Sequence, residues 1–474
     1  MNQTIKFLIL IFLFSFFKST ILNAADSYEI KIKINGYKDT LCYLAYHYGD
    51  KQYMRDTVEI IKGVATFKGE KALESGIYMF VLDAKKGEYF EFIVNEPKIE
   101  LETTYKSFID KMIVHRSKEN EIFYSYIKFI SLNGRERDRL RADLKELKKD
   151  NKKSKEIKEK LKIIDEKVNN EIERIINEEK GSFYAKVLLA MKEVKIPPPP
   201  TNPDGTKDSL FQYRYFKSHF YDYFDMQDDR LLRTPIFQQK LDKYVKNLTA
   251  QHPDSLTKTA DYLLGISDGS KDIFRYILIH LLNKYAESKI MGMDKIYVHL
   301  VENYYNTGKA NWVDSVQLYK IKDRAQRLSY TLIGKEAPPI ILQDSSGKWH
   351  DLLSVNTPYT ILYLWDADCG HCKKATPKLK KFYDENKHLG IEVYAVNTEV
   401  EEDKWKKYIK ENELTWINVA DAKVQSNFRY WYDIQSTPKV YVLDHKKEII
   451  AKGIGVEQVE DFITKYMKMK KQNN

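Results

Sequence analysis

The feature that most constrains the fold of this chain is a pair of cysteines placed between a strand and a helix. The apolar residues 361–365 predict a buried strand, and the charged segment with leucine spacing that follows Cys372 predicts a helix. A turn between the two places Cys369 at the helix N-terminus, where unpaired backbone N–H groups and the helix dipole favour a thiolate. Gly370 and His371 separate the cysteines, so Cys372 can lie behind Cys369. This spacing suits a reversible disulfide, and a protonated His371 would favour the reduced form.

Two other interpretations of the pair are a zinc site and a static disulfide. A structural zinc site needs four ligands, and the chain has one further cysteine, Cys42, far away in the sequence. A disulfide between Cys369 and Cys372 would close a loop of only four residues, which is too short to stabilise the fold much. The spacing therefore predicts a redox-active pair that uses no metal and no cofactor. Cys42 is predicted to be a small buried side chain within a strand.

The first residues are predicted to be a signal peptide, residues 1–25. A short segment ending in Lys6 precedes an apolar run at residues 7–17, and Ala24 and Ala25 offer a cleavage site. The alternative, a short membrane anchor, stays open. No cysteine lies near the cleavage point, so the chain is not expected to be a lipoprotein. We expect a mature protein in the periplasm or cell envelope without stable membrane insertion, because no later stretch approaches spanning length.

Residues 26–105 are predicted to form an antiparallel β-sandwich. Tyr28–Asn35 alternates apolar and polar residues, which is the pattern of a half-buried strand. Similar short runs follow at intervals and are separated by glycines, as in small sandwich domains.

Residues 106–333 are predicted to form an all-α domain. Apolar residues recur at helical spacing on two segments, first at Leu140, Leu144 and Leu147 and then from Ile157 to Ile175. Residues 135–160 carry 12 Lys or Arg and 7 Asp or Glu. We interpret this excess as a solvated helix face, with a contact to an acidic partner or membrane surface as the alternative. Export excludes nucleic acid as the partner. The sequence does not indicate what this region does.

Residues 334–474 resemble the thioredoxin-like family, and in particular its exported TlpA/ResA type, which is related to the AhpC/TSA group. Trp365 matches the aromatic residue before the active site, and Pro377 matches the proline that kinks the active-site helix. Thr437 and Pro438, followed by Lys-Val-Tyr-Val-Leu, match the cis-proline strand that faces the disulfide. The resemblance implies an α/β thioredoxin fold, with Cys369 and Cys372 as catalytic residues. It also implies a substrate groove formed by Trp365, Thr437 and Pro438.

The sequence departs from the family at several positions near the cysteines. Tyr363 stands where thioredoxin has its buried acid, and Ala375 stands where ResA-like proteins have a glutamate. The proton acceptor for Cys372 is therefore unassigned. Asp366 and Asp368 are close enough in sequence to be candidates, and the alternative is that they are exposed acids that disfavour the thiolate. Asp366 also occupies the place of the threonine that a one-cysteine peroxidase needs, so peroxidase activity is discounted.

The whole layout resembles envelope proteins of Bacteroidetes-type bacteria, which join N-terminal β and helical domains to a thioredoxin-like domain. This resemblance implies the architecture and not the activity. The resemblance of residues 334–474 to the TlpA/ResA type implies an exported thiol–disulfide oxidoreductase whose partners are protein disulfides and a membrane-bound electron donor. The reductase direction is slightly favoured. Cys-Gly-His-Cys itself resembles protein disulfide isomerase, with Gly370 and His371 modulating the pair, so an isomerase or oxidase is one alternative. The other is an envelope binding protein with a degenerate thioredoxin scaffold.

Overall fold

A computed structural model describes residues 27–38, 40–147 and 152–473. The predicted signal peptide lies outside the described residues. The chain divides into two compact units. The first holds the described residues up to Asp225 together with Arg230–Gln238, and the second holds Met226–Asp229 and the residues from Gln239 on.

The first unit begins with two four-stranded sheets, ordered β4-β1-β7-β8 and β3-β2-β5-β6. The strands are β1 (Tyr28–Asn35), β2 (Leu41–Tyr48), β3 (Lys51–Glu59), β4 (Val64–Gly69), β5 (Gly76–Asp83), β6 (Glu88–Val94), β7 (Lys98–Thr104) and β8 (Ile113–Arg116). Phe67 of one sheet meets Phe80 of the other edge to face, with ring centroids 6.1 Å apart. Alternation along β1 buries Ile30, Ile32 and Ile34.

The prediction of an antiparallel sandwich needs one correction, because β1 and β7 pair in parallel. The chain leaves β1 and passes through the whole second sheet before β7, and so long a connection allows a parallel pair. Cys42 is buried within β2, as predicted. The structure also adds β8, which lies within the range predicted to be helical.

The helices of the first unit follow β8. They are α1 (Lys118–Glu146), α2 (Lys152–Glu178), α3 (Phe183–Met191) and α4 (Phe211–Ser218), and α5 (Pro235–Asp242) begins in this unit. Ser117 caps α1 by accepting a hydrogen bond from the Asn120 N–H. On α2, Ile164 and Ile175 are buried, whereas most of the basic residues are exposed.

The second unit contains helices and a mixed sheet. Its helices before the sheet are α6 (Pro253–Ile266), α7 (Lys271–Ala286), α8 (Asp294–Leu300) and α9 (Ser315–Ser329). Ser270 caps α7, and Asp314 caps α9. Helical content thus extends to the start of the thioredoxin-like region, as the sequence predicts.

The sheet has seven strands in the order β10-β9-β13-β12-β11-β14-β15. The strands are β9 (Ile341–Gln343), β10 (Trp349–Asp351), β11 (Tyr359–Trp365), β12 (Ile391–Asn397), β13 (Ile417–Ala420), β14 (Lys439–Leu443) and β15 (Ile449–Lys452). The helices are α10 (Gly370–Asn386), α11 (Glu402–Glu411), α12 (Phe428–Trp431) and α13 (Val456–Asn473). β11 pairs in parallel with β12 and antiparallel with β14, so it is central.

Successive side chains of β11 enter two different apolar cores. Tyr363 and Trp365 pack with residues of α10, α11 and α13, whereas Leu362 and Leu364 pack with α12 and the β9–β10 hairpin. This burial on both faces explains the unbroken apolar run in the sequence. The predicted multidomain fold of β-sheets, helical region and thioredoxin-like domain is confirmed. In the described part of the chain, no helix has both the length and the apolar character to cross a membrane.

Candidate functional site

The cysteine pair lies at the turn between β11 and α10, as predicted. Cys369 is the N-cap residue of α10, and Cys372 lies in its first turn. The turn is held by Asp366, whose side chain accepts a hydrogen bond from the Asp368 N–H at 2.7 Å. The Asp366 carbonyl also accepts from the Cys369 N–H at 3.3 Å. Both cysteines are free thiols in this structure.

Cys369 is the accessible thiol of the pair. It is partly exposed, and its Sγ lies 3.4 Å from the carbonyl oxygen of Thr437, to which the thiol donates. Burial by itself raises the pKa of the Cys369 thiol. Hydrogen bonding from the Thr437 side chain, from Cys372 and from the backbone N–H of His371 outweighs this effect and lowers the pKa below its ordinary value. Cys369 therefore has the properties of an attacking thiolate.

Cys372 is the protected thiol. Its side chain is fully buried, and the Asp366 N–H points at its Sγ from 3.5 Å. Burial raises the pKa of the Cys372 thiol to about 12. The two thiols thus differ in access and acidity, which suits one for attack and the other for a later step.

Asp368, next to Cys369, has partners that the sequence did not predict. Asp368 forms ion pairs with Lys404 of α11 at 2.8 Å and with Lys373 at 3.5 Å. Lys404 also pairs with Glu401 at 2.8 Å. The hydrogen bond from Lys404 is the main reason that the pKa of Asp368 is lowered. The lysines offset the charge that Asp368 would place beside the thiolate. Lys404 has no local sequence signal, because it lies 36 positions away from Asp368.

Two buried hydroxyl groups lie beneath Cys372. The Tyr363 OH and Thr376 Oγ1 are 3.0 Å apart, and Thr376 donates to the Cys372 carbonyl at 2.9 Å. Both side chains are fully buried, and burial strongly raises the pKa of Tyr363. Thr376 was missed by the sequence analysis, although its position one helical turn after Cys372 is a detectable signal.

The residues predicted to form the groove divide into two groups. Thr437 and Pro438, joined by a cis peptide bond, are partly exposed beside Cys369. Trp365 is only 1% exposed, so the structure corrects its predicted place in the groove. Its ring packs against Tyr363 at 6.1 Å and Tyr408 at 5.3 Å, because β11 directs it into the core.

The remaining predicted residues lie on α10. Gly370 and His371 are exposed in its first turn, and Pro377 lies inside the helix. His371 is thus placed where a proton on its ring adds positive charge close to Cys369.

Three segments of the chain match known protein families. Residues 333–452 match the AhpC/TSA family. Residues 28–123 and 148–331 match two domains of unknown function, DUF4369 and DUF5106.

Similar proteins include thiol–disulfide oxidoreductases. The thiol-disulfide oxidoreductase ResA of Bacillus cereus is 27% identical over 138 residues, which are 28% of this chain and 78% of that protein. The sporulation thiol-disulfide oxidoreductase A of Bacillus subtilis is 32% identical over 109 residues, 22% of this chain and 65% of that protein.

Similar solved structures include a domain of a possible thiol-disulfide isomerase from Cytophaga hutchinsonii. It is 44% identical, covers 30% of this chain and 97% of its own, and has a TM-score of 0.29. A thioredoxin-like protein from Bacteroides caccae is 20% identical and covers 57% of this chain and 99% of its own, with a TM-score of 0.44. Residues 333–452 thus match the AhpC/TSA family and are similar to ResA, and the chain is a thioredoxin-like protein-disulfide oxidoreductase.

Proposed function

We propose that this protein exchanges thiols and disulfides between the Cys369–Cys372 pair and exported protein substrates, with the reductase direction slightly favoured. The observation that carries the proposal is the contrast between the two thiols, one partly exposed with a lowered pKa and one fully buried with a pKa of about 12. Such a pair separates the attacking thiol from the resolving thiol.

The reaction has two exchange steps. The Cys369 thiolate attacks one sulfur of the substrate disulfide, which forms a mixed disulfide and releases one substrate thiolate that takes up a proton. Cys372 then loses its proton and attacks Cys369 Sγ, which releases the second substrate thiolate. The substrate gains two electrons and two protons, and the enzyme ends with a Cys369–Cys372 disulfide. A membrane-bound electron donor would return the two electrons.

The partial exposure of Thr437 and Pro438 beside Cys369 supports a substrate groove at this place. In thioredoxin-like proteins, the backbone before the cis-proline pairs with the bound chain. We therefore assign Thr437 and Pro438 to substrate binding. Trp365 belongs to the apolar core that packs against Cys369 and Cys372 and supports the groove. Gly370 and His371 modulate the pair, and Pro377 shapes the helix that carries it.

Insulin reduction by the full mature chain tests the proposal. Cys369→Ser should abolish turnover, and Cys372→Ser should trap a mixed disulfide that is visible on a non-reducing gel. Cys42→Ser is the matched control, because Cys42 is buried in the first unit and should leave turnover unchanged. If the wild type shows no activity that depends on Cys369, the binding-protein alternative with a degenerate scaffold replaces this proposal.

The direction of electron flow is tested by the redox potential. A lowered pKa of Cys369 stabilises the reduced form and favours the isomerase or oxidase alternative, whereas kinship with the TlpA/ResA type favours a reductase. We expect a value between those of thioredoxin, about −270 mV, and protein disulfide isomerase, about −180 mV. A glutathione titration measures it, and a value above about −150 mV would support the oxidase alternative.

Export by residues 1–25 is part of the same proposal. Its support is the sequence pattern alone. N-terminal sequencing of the protein recovered from its own cell envelope should begin near Asp26. Recovery of the uncleaved chain from the cytoplasm would contradict it.

A further inference from the structure

Helix α9, which precedes the thioredoxin-like domain in sequence, is fixed against the segment that leads to the cis-proline. The Tyr430 OH on α12 donates to Asp323 of α9 at 3.2 Å. The guanidinium of Arg327 lies over the Tyr430 ring at 4.5 Å, and the Tyr330 ring meets it edge on at 6.2 Å. These contacts hold one face of α9 beside the loop between α12 and β14.

A cleft of about 580 Å³ lies between α9 and this loop. It is lined by Asp323, Arg324, Arg327, Asp433 and Gln435. Gln435 is two positions before Thr437, and two extended residues span about 7 Å. Gln435 and Ser436, which connect the cleft to Thr437 in sequence, are both exposed and accessible to a bound chain. A polypeptide bound at Thr437 could thus place a residue near its cysteine in the cleft.

The charges of the cleft are unequally available to a ligand. Asp323 accepts from Arg327 Nε at 2.8 Å and from Tyr430, and Asp433 is 8% exposed and accepts from Gln435 at 2.9 Å. Both carboxylates are therefore engaged.

The guanidinium groups of Arg324 and Arg327 retain N–H donors that a ligand could use. Arg324 donates from Nη2 to the Ala286 carbonyl at 2.6 Å, and Arg327 donates Nε–H to Asp323. A guanidinium carries five N–H donors, so the bonds seen in the described residues leave several on each arginine. Arg327 is also held in place by its carboxylate partner and by the Tyr430 ring beneath it. A planar donor group held in this way is suited to bind a carboxylate.

We propose that the cleft binds an acidic side chain of the protein substrate, two to four residues from its disulfide cysteine. Arg327 and Arg324 would then be specificity-determining residues, and α9 would be one wall of the substrate-binding surface. This inference rests on the proposed function, because it requires a polypeptide disulfide to bind at Cys369. It gives a role to the end of a segment that matches a domain of unknown function.

The test uses the full mature chain and two synthetic peptides that each contain one disulfide. The peptides are identical except for Asp or Lys two residues from the cysteine. Uncharged 2-hydroxyethyl disulfide serves as a small substrate that cannot reach the cleft. We expect the wild type to reduce the Asp peptide with a kcat/KM about 5- to 10-fold higher than the Lys peptide. Arg327→Gln and Arg324→Gln should remove this preference through KM and leave the reduction of 2-hydroxyethyl disulfide unchanged.

Arg139→Gln is the control, because Arg139 is an exposed arginine on α1. It should keep the preference. Since Arg327 contacts Tyr430, its variant is checked by circular dichroism, and exposed Arg324 provides a second variant that leaves this packing intact. Equal rates for the two peptides, or a preference that survives both variants, would overturn this inference alone. A wild type that does not reduce 2-hydroxyethyl disulfide would overturn the proposed function and this inference with it.

Discussion

At the scale of single residues, the site depends on two cysteines that differ only in their surroundings. The pKa of Cys369 is lowered by hydrogen bonding that outweighs burial, and burial raises the pKa of Cys372 to about 12. Since only the thiolate is alkylated, the rate of iodoacetamide labelling should rise with pH through each pKa. In Cys372→Ser, Cys369 should reach half its maximal rate below the ordinary thiol value.

In Cys369→Ser, Cys372 should stay almost unreactive up to about pH 10. The double variant supplies the background, because burial also raises the pKa of Cys42 to about 12. Equal labelling curves for the two single variants would contradict the assignment of attacking and resolving thiols.

Lys404 is expected to tune the potential of the pair through Asp368. Removal of the ammonium in Lys404→Ala leaves the Asp368 carboxylate with less compensation one residue before Cys369. The thiolate should become less stable, so the pKa of Cys369 rises and the pair becomes more reducing. The shift should be about 10–20 mV, because ion pairs between exposed groups are weak. Lys406→Ala is the control, since Lys406 is on the same helix and pairs with Glu402 instead. An equal shift in both variants would contradict the role of Lys404.

His371 is expected to act in the same direction. It is exposed in the first turn of α10, where a protonated ring adds positive charge near Cys369. His371→Pro removes both this ring and the backbone N–H that bonds to Cys369, whereas His371→Gln removes the ring alone. Both variants should have a more negative potential in a glutathione titration, and the shift should be larger for His371→Pro. An unchanged potential in His371→Gln would show that the His371 ring does not set the redox balance.

At the scale of elements, α10 is joined to β11 by buried hydroxyl groups below Cys372. Thr376→Val keeps the shape of the side chain but leaves the Tyr363 OH buried without this partner. The free energy of unfolding should fall by about 1–3 kcal/mol, which is the cost of an unsatisfied buried polar group. Urea unfolding measures it. The Thr376→Ser variant keeps the hydroxyl, so its free energy of unfolding should fall less. A larger fall in Thr376→Ser than in Thr376→Val would contradict the hydrogen-bond explanation.

The same elements show what the sequence could predict. The turn at Cys369–Cys372, the buried strand before it and the strand after Pro438 were predictable, because each has a local pattern. Strand β8 was missed because four residues are too few to show alternation. The predicted buried strand contains Trp365, but the packing of its ring against Tyr408, away from the groove, was not predicted because Tyr408 comes from another part of the chain. The cleft beside α9 had no local signal, since Asp323 and Tyr430 are 107 positions apart.

At the scale of the whole chain, the thioredoxin-like sheet shares its compact unit with helices that precede it. Lys452 of β15 is 12% exposed at its side chain and donates to the Thr331 carbonyl at 2.7 Å. It also pairs with Asp294, whose side chain is 17% exposed. A fragment of residues 334–474 keeps every residue assigned to the cysteine site but loses both of these partners.

We therefore predict that residues 239–474 melt at a higher temperature than residues 334–474, by about 5 °C or more, since about 1 kcal/mol shifts the melting temperature of a small domain by several degrees. Both fragments should reduce 2-hydroxyethyl disulfide at similar rates, because the cysteines and their hydrogen bonds are common to them. Lys452→Met tests whether the bonds of Lys452 account for the difference in melting temperature. It should lower the melting temperature of the longer fragment, where it removes the bonds to Thr331 and Asp294, and leave the shorter fragment nearly unchanged. Differential scanning calorimetry gives all four values, and equal melting temperatures for the two wild-type fragments would show that the preceding helices do not stabilise the thioredoxin-like domain.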